Sequence, residues 1–188
     1  MGCSGHTVNE SINKIINNNI NNNININNIN NNINEMRNEL LKYHNKYRKY
    51  HNSNDLIINN NLNDRAQEYA NKRIKNTQFK QSFFYNAYKD IILGENVYCS
   101  KEKADPETIC KEWYNENKKY DYKKNSYQNG TGHFTQLVWK NTKEVGFGIS
   151  SNNDSFNVVA YYYPAGNVLG EFQNNVFKKK EIEKENNI

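Results

Sequence analysis

The chain has 188 residues, with 25 Lys and Arg against 20 Asp and Glu, a net charge of +5 at neutral pH and 36% hydrophobic residues. It has no run of 18 apolar residues, so no transmembrane helix is expected. The opening MGCSGHTVNESINK has no apolar segment of the kind that directs conventional secretion, and the chain reads as intracellular. About 140 residues remain once an Asn/Ile-rich stretch and a charged tail are set aside, enough to bury one core but a poor fit to two domains.

Residues 1–11 begin Met1-Gly2-Cys3-Ser4. Loss of Met1 would expose Gly2 for N-myristoylation, and Cys3 beside it suits palmitoylation; two acyl chains anchor stably where one holds only marginally. Ser or Thr is usual at the sixth position of such a signal; here it is His6, with Thr7 following. Residues 12–34 are Asn and Ile throughout, apart from Lys14. Ile12, Ile16, Ile20 and Ile24 fall at helical spacing, but each Asn costs about 0.6–0.7 kcal/mol relative to Ala in a helix. The tract is expected to be a low-complexity spacer, mostly irregular and prone to association.

From residue 35 to 177 the composition is that of a globular domain, and 178–188 form a charged tail. The spacing predicts a helix over 35–50, with Met36, Leu40, Tyr43, His44 and Tyr47 on one face. A second is predicted over 62–75, with Leu62, Ala66, Tyr69, Ala70 and Arg73 on one side. A polar, aromatic loop then leads to Gly94-Glu95-Asn96-Val97. Asp105 as N-cap and Pro106 behind it start a third helix, carrying Ile109, Trp113, Glu116 and Tyr120. Alternation over 133–140, then 145–150 and 156–163, predicts three antiparallel strands. Helices first and strands last define an α+β domain.

Basic residues cluster at Arg37, Lys42, Lys46, Arg48 and Lys49, at Lys72, Arg73, Lys75 and Lys80, and at Lys118, Lys119, Lys123 and Lys124. Each cluster alone suits a solvated helix face, and together they suit an anionic membrane surface. No nucleic-acid motif accompanies them, so no nucleic-acid partner is expected. Cys99 and Cys110 could pair, but free thiols are the simpler expectation for an odd set that also includes Cys3.

Two blocks carry a family signal: Gly132-His133-Phe134-Thr135-Gln136-Leu137-Val138-Trp139, and Tyr162-x-Pro164-x-Gly166-Asn167. Leu41-x-x-His44-Asn45-x-x-Arg48, Leu62…Ala66-Gln67-x-Tyr69-Ala70 and Gly94-Glu95-Asn96 precede them in order. The chain from His44 to Asn167 thereby resembles the CAP superfamily, the SCP domain of cysteine-rich secretory, antigen 5 and pathogenesis-related proteins. The resemblance implies an α-β-α sandwich with a central antiparallel sheet. Ala160 and Tyr161 stand where secreted members often carry Cys and a polar residue. The likeness is greatest to the Golgi-associated plant pathogenesis-related branch, which lacks a signal peptide and is N-myristoylated. That implies the cytosolic face of the Golgi or another membrane.

The resemblance also implies a cleft gathering two His and two Glu. Carried over residue by residue, these positions are His133, Glu95, Glu116 and, in place of the second His, Gln81; no His lies between His51 and His133. Zinc favours imidazole and thiolate ligands, so a Gln amide weakens a zinc site and leaves magnesium, calcium or no metal equally open. His133, Glu95 and Glu116 are the candidate metal ligands, and no cofactor is assigned. The simpler reading of His133 is a cleft histidine fixed by Glu95 or Glu116, and of His44 a satisfied core histidine. No Ser-His-Asp or Cys-His arrangement appears, so no catalytic residue is assigned. The expected function is a non-enzymatic, membrane-associated module that binds anionic lipid or a protein partner through its cleft and basic surface, with homodimerisation open. The alternatives are a metal-dependent hydrolase or protease-like enzyme using His133 and Glu95, and a secreted effector.

Overall fold

The structure, a computed structural model, describes residues 5–75, 87–88 and 91–180, with backbone alone over 5–26 and at 87, 88 and 91. Gly2, Cys3, Gln81, Lys80 and most of the charged tail lie outside the described residues. The chain divides into two units, Met1–Met36 and Arg37–Ile188.

In the first unit the described residues are helical: α1 runs Gly5–Tyr50 and takes in the whole Asn/Ile tract. A segment continuing an existing helix escapes the nucleation penalty that a lone Asn-rich helix would face, and its Ile residues keep helical spacing. Among the described residues no helix is long and apolar enough to cross a membrane.

The second unit is an α-β-α sandwich. Its central sheet has the order β1-β5-β6-β4, from β1 (Ile57–Ile58), β4 (Gly94–Ser100), β5 (Glu144–Ser151) and β6 (Phe156–Tyr163). β5, β6 and β4 are antiparallel, while β1 adds a short parallel edge beside Glu144 and Val145. A separate pair, β2 (Ala87–Tyr88) and β3 (Ile91–Ile92), is antiparallel. Alternation along β6 sorts the core. Val159 and Tyr161 meet Leu62, Ala66 and Ala70 of α2 (Asn60–Lys75), and Tyr162 points the other way, its hydroxyl reaching His44 of α1 at 2.9 Å. Gly146 and Gly148 let the α2 backbone lie directly on β5: a methyl at either would overlap the main chain around Leu62 or Ala66.

β1 is so short that the outer edge of β5 would be left bare beyond Val145. Side chains finish the ladder instead. Asn63 accepts from the Phe147 amide at 2.8 Å, Arg37 Nε donates to the Phe147 carbonyl at 2.9 Å, and the Gln67 amide both accepts from Ile149 N and donates to Ile149 O, at 3.1 and 2.6 Å. The edge is thereby closed to pairing with another chain.

One predicted strand is a helix. Residues 133–140 fall mainly in α4 (Gly132–Val138), and the third antiparallel strand is β4. Phe134 through Val138 are all buried in α4, including Thr135, which donates to the Thr131 carbonyl at 3.0 Å. A helix buried all round loses the one-sided apolar stripe that marks amphipathic helices, and chance alternation then reads as a strand.

The third helix forms as expected: α3 (Pro106–Asn115) has Asp105 as N-cap, accepting from Thr108 N at 2.9 Å, and a 3-10 turn (Glu116–Lys119) follows. His44 is fully buried. Its Nδ1–H donates to the Leu40 carbonyl at 2.7 Å and its Nε2 accepts from Tyr162, a neutral tautomer satisfied on both sides. Burial drives its pKa down to about 4. Cys110 is buried against this ring and Cys99 is exposed; both are free.

Candidate functional site

The end of α3 delivers Glu116 to the start of α4. Its Oε1 accepts from His133 Nδ1 at 2.7 Å. Its Oε2 accepts from the backbone amides of His133 at 2.8 Å and Phe134 at 3.1 Å. A carboxylate here satisfies amides of the first helical turn that have no intrahelical partner and sets the imidazole tautomer in one stroke. Trp113, nearly one turn earlier on α3, stacks on the His133 ring at 6.4 Å between centroids and 25° between planes. Asn96 of β4 holds the His133 carbonyl at 3.0 Å. The imidazole is therefore fixed, with Nε2 left without a hydrogen bond among the described residues. Of the two carboxylates expected to fix it, Glu116 makes the bond. Glu116→Ala is expected to release the ring and cost about 1–2 kcal/mol through the lost amide partners. Nitrogen-15 shifts of the His133 ring check this, and an unchanged tautomer and ring order would contradict it.

Glu95 lies on β4, opposite Tyr161 of β6. Burial raises its pKa to about 7, while the charge of Arg73, the Tyr161 hydroxyl and His133 pull it back down. At neutral pH the buried carboxyl is thus divided between its protonated and charged forms. Gln81 lies outside the described residues. Among the described residues no group of three or more His, Cys, Asp or Glu side chains is placed to hold a metal ion. Both oxygens of Glu116 are engaged by His133 and the α4 amides. The described donor set does not fit a zinc centre.

The three basic clusters differ sharply. Arg48 is fully buried and Arg37 serves the β5 edge, so neither belongs to a surface patch. Their neighbours are paired: Lys42 with Glu39 at 2.9 Å, Lys46 with Glu107 at 3.6 Å and Lys49 with Asp55 at 3.3 Å. In the second cluster Lys72 pairs with Glu68 at 2.6 Å, and Arg73 donates to Cys99 Sγ at 3.1 Å. In the third, Lys124 stands 4.0 Å from Asp121, while exposed Lys118, Lys119 and Lys123 make no ion pair among the described residues. This last cluster directly follows Glu116. The i, i+4 pair Asn63 and Gln67 on α2 was the visible signal for the β5 edge; nothing local announces the role of Arg48.

Fold and site together define an α-β-α sandwich with a carboxylate-oriented histidine at the start of α4. The chain belongs to the CAP, or cysteine-rich secretory protein, family, whose model matches residues 41–163. It is 37% identical over 145 residues to the human Golgi-associated plant pathogenesis-related protein 1, covering 76% of this chain and 92% of that one. It is 33% identical over 133 residues to the basic form of pathogenesis-related protein 1 of Nicotiana tabacum, covering 70% of this chain and 71% of that one. Among solved structures, that of NaASP2 with Zn2+ superposes with a TM-score of 0.62 at 24% identity, covering 78% of this chain and 87% of that one, a likeness of fold alone.

Proposed function

We propose that this chain is a non-enzymatic CAP-domain module that sits on an anionic membrane surface and takes a lipid or protein partner at its cleft. The observation that carries the reading is the exposed run Lys118, Lys119 and Lys123, lacking acidic partners among the described residues, beside a His133–Glu116 pair whose carboxylate is already committed. Fixed basic charge next to a cleft suits recognition of an anionic surface, at about 1 kcal/mol per Lys close to the bilayer. A carboxylate spent on orienting an imidazole and binding helix amides is not a free general base. The Golgi-associated name of the human relative supports a Golgi location; the proposal adds the cytosolic face of that or another membrane, with Gly2 and Cys3 as the acylation sites.

Flotation of the unacylated protein with vesicles tests the reading. Binding is expected to phosphatidylserine-containing vesicles and not to neutral ones. It should fall as salt rises from 0.1 M, where charges are felt over about 10 Å, toward 1 M, where the reach is about 3 Å. Charge reversal at Lys118, Lys119 and Lys123 is expected to weaken it more than reversal at the paired Lys42 and Lys46. Binding indifferent to lipid charge and salt would sink the membrane reading. Stoichiometric metal lost on His133→Ala would sink the non-enzymatic one.

A further inference from the structure

Beside the lysine run lies an apolar tip. Leu169 is 77% exposed, Tyr127 51% and Val168 42%, three of the most exposed large hydrophobic residues of the domain. They are brought together from two segments. Asn125 Nδ2 donates to the Gly170 carbonyl at 2.8 Å. Gln173 donates through its backbone amide to Asn125 Oδ1 at 3.0 Å and through its side chain to the Lys123 carbonyl at 3.1 Å. At the other end the Tyr127 ring and the Asn167 amide both border Gly132. Leu169 sits at the apex of a turn closed by Glu171 N on the Val168 carbonyl at 3.1 Å, with Gly170 at φ +81°. That conformation suits glycine and holds Leu169 outward.

A single exposed Leu needs no explanation, but exposed apolar side chains stitched through Lys123 and Asn125 to the segment that follows the 3-10 turn of Lys118 and Lys119 form a composite face. The acidic groups nearby are Asp121, beside Lys124, and exposed Glu171. The charge balance of the face is therefore positive. We infer that Val168, Leu169 and Tyr127 form a wedge that enters the interface of an anionic bilayer while the lysines engage its headgroups. Leu and Val would bury their side chains among acyl chains, and Tyr would keep its ring at the headgroup level with its hydroxyl in water. Alternating basic and apolar groups of this kind complement a negative surface over an apolar interior. The inference rests on the membrane reading above and adds the face that makes contact.

The test places an environment-sensitive NBD fluorophore at Leu169→Cys or, as a control at the exposed β5–β6 turn, at Asn153→Cys, in unacylated protein carrying Cys3→Ser and Cys99→Ser. Cys110 is buried and escapes labelling. On phosphatidylserine-containing vesicles the probe at 169 is expected to shift to the blue and brighten, while the probe at 153 does not. Leu169→Asp is expected to weaken vesicle binding about tenfold or more, with an unchanged melting temperature because the side chain packs against so little of the domain. A normally bound wild-type protein whose probe at 169 does not shift, or whose Leu169→Asp variant binds equally well, overturns the wedge and leaves the membrane reading standing. Wild-type protein that does not float with anionic vesicles overturns both.

Discussion

Replacing Arg48 by Met is expected to lower the unfolding free energy by about 4 kcal/mol or more. The side chain is fully buried and makes no ion pair with a carboxylate among the described residues. Its charge is instead spread over four carbonyls: Nε donates to Asn54 O at 2.8 Å, Nη1 to Leu137 O at 3.0 Å and Trp139 O at 2.9 Å, and Nη2 to Thr142 O at 2.9 Å. Two of these carbonyls close the end of α4 and one lies in the turn into β5. The guanidinium therefore binds α1 to the segment that presents the cleft. Burial lowers its pKa to about 10, so it stays charged at neutral pH. Met fills the volume but takes a donor from each of four buried carbonyls; Trp139 O keeps the Thr142 amide at 3.2 Å, and each acceptor left bare costs about 1–3 kcal/mol before relaxation or water entry reduces the sum. Lys supplies one compact ammonium for acceptors on several sides and is expected to recover only part of the loss. Urea unfolding at pH 7.5 reads the difference. A loss below about 1 kcal/mol would show that the carbonyls find other donors.

Glu95→Gln is expected to stabilise the protein above neutral pH by up to about 3 kcal/mol and to change little below pH 4.5. The pKa of Glu95 is raised from 4.5 to about 7, with burial as the main cause. Between those values the unfolded carboxyl has ionised while the folded one keeps its proton, so folding loses stability as pH rises and the loss is complete above about 7. The Gln amide has no proton to lose. In wild type this slope is masked by His44, whose pKa is lowered from 6.5 to about 4. That histidine contributes stability present above 6.5 and lost as pH falls toward 4, the opposite sense over the same window. The difference between variant and wild type isolates Glu95, because His44 is common to both. Unfolding free energies at pH 4, 5.5 and 8 suffice, and parallel curves would place the Glu95 carboxyl in a solvated setting.

Local patterning specified the part of the molecule with one wet and one dry side. The apolar spacing of Leu40, His44 and Tyr47, the Leu62–Ala66–Ala70 stripe, the Asp105-Pro106 start of α3 and the strands expected over 145–150 and 156–163 are local patterns, and each formed within a residue or two of where its period put it. The octapeptide from Gly132 to Trp139 identified the family although its own conformation was misread, because a motif is recognised by identity and a helix by its solvent-facing side, which α4 lacks. Tertiary structure decided everything that depends on a distant partner. It turned Arg48 from a surface cation into a buried tie to carbonyls about 90 residues away. It made the α2 polar pair Asn63 and Gln67 into the missing strand of the β5 edge. It paired each described lysine of the first cluster with an acidic neighbour and left Lys118, Lys119 and Lys123 beside Glu116 without an ion pair among the described residues. It also settled which carboxylate orients His133: Glu95 and Glu116 are equivalent as letters, but only Glu116 arrives where the free amides of α4 and the imidazole Nδ1–H point, whereas Glu95 is held on a strand where burial favours its neutral form.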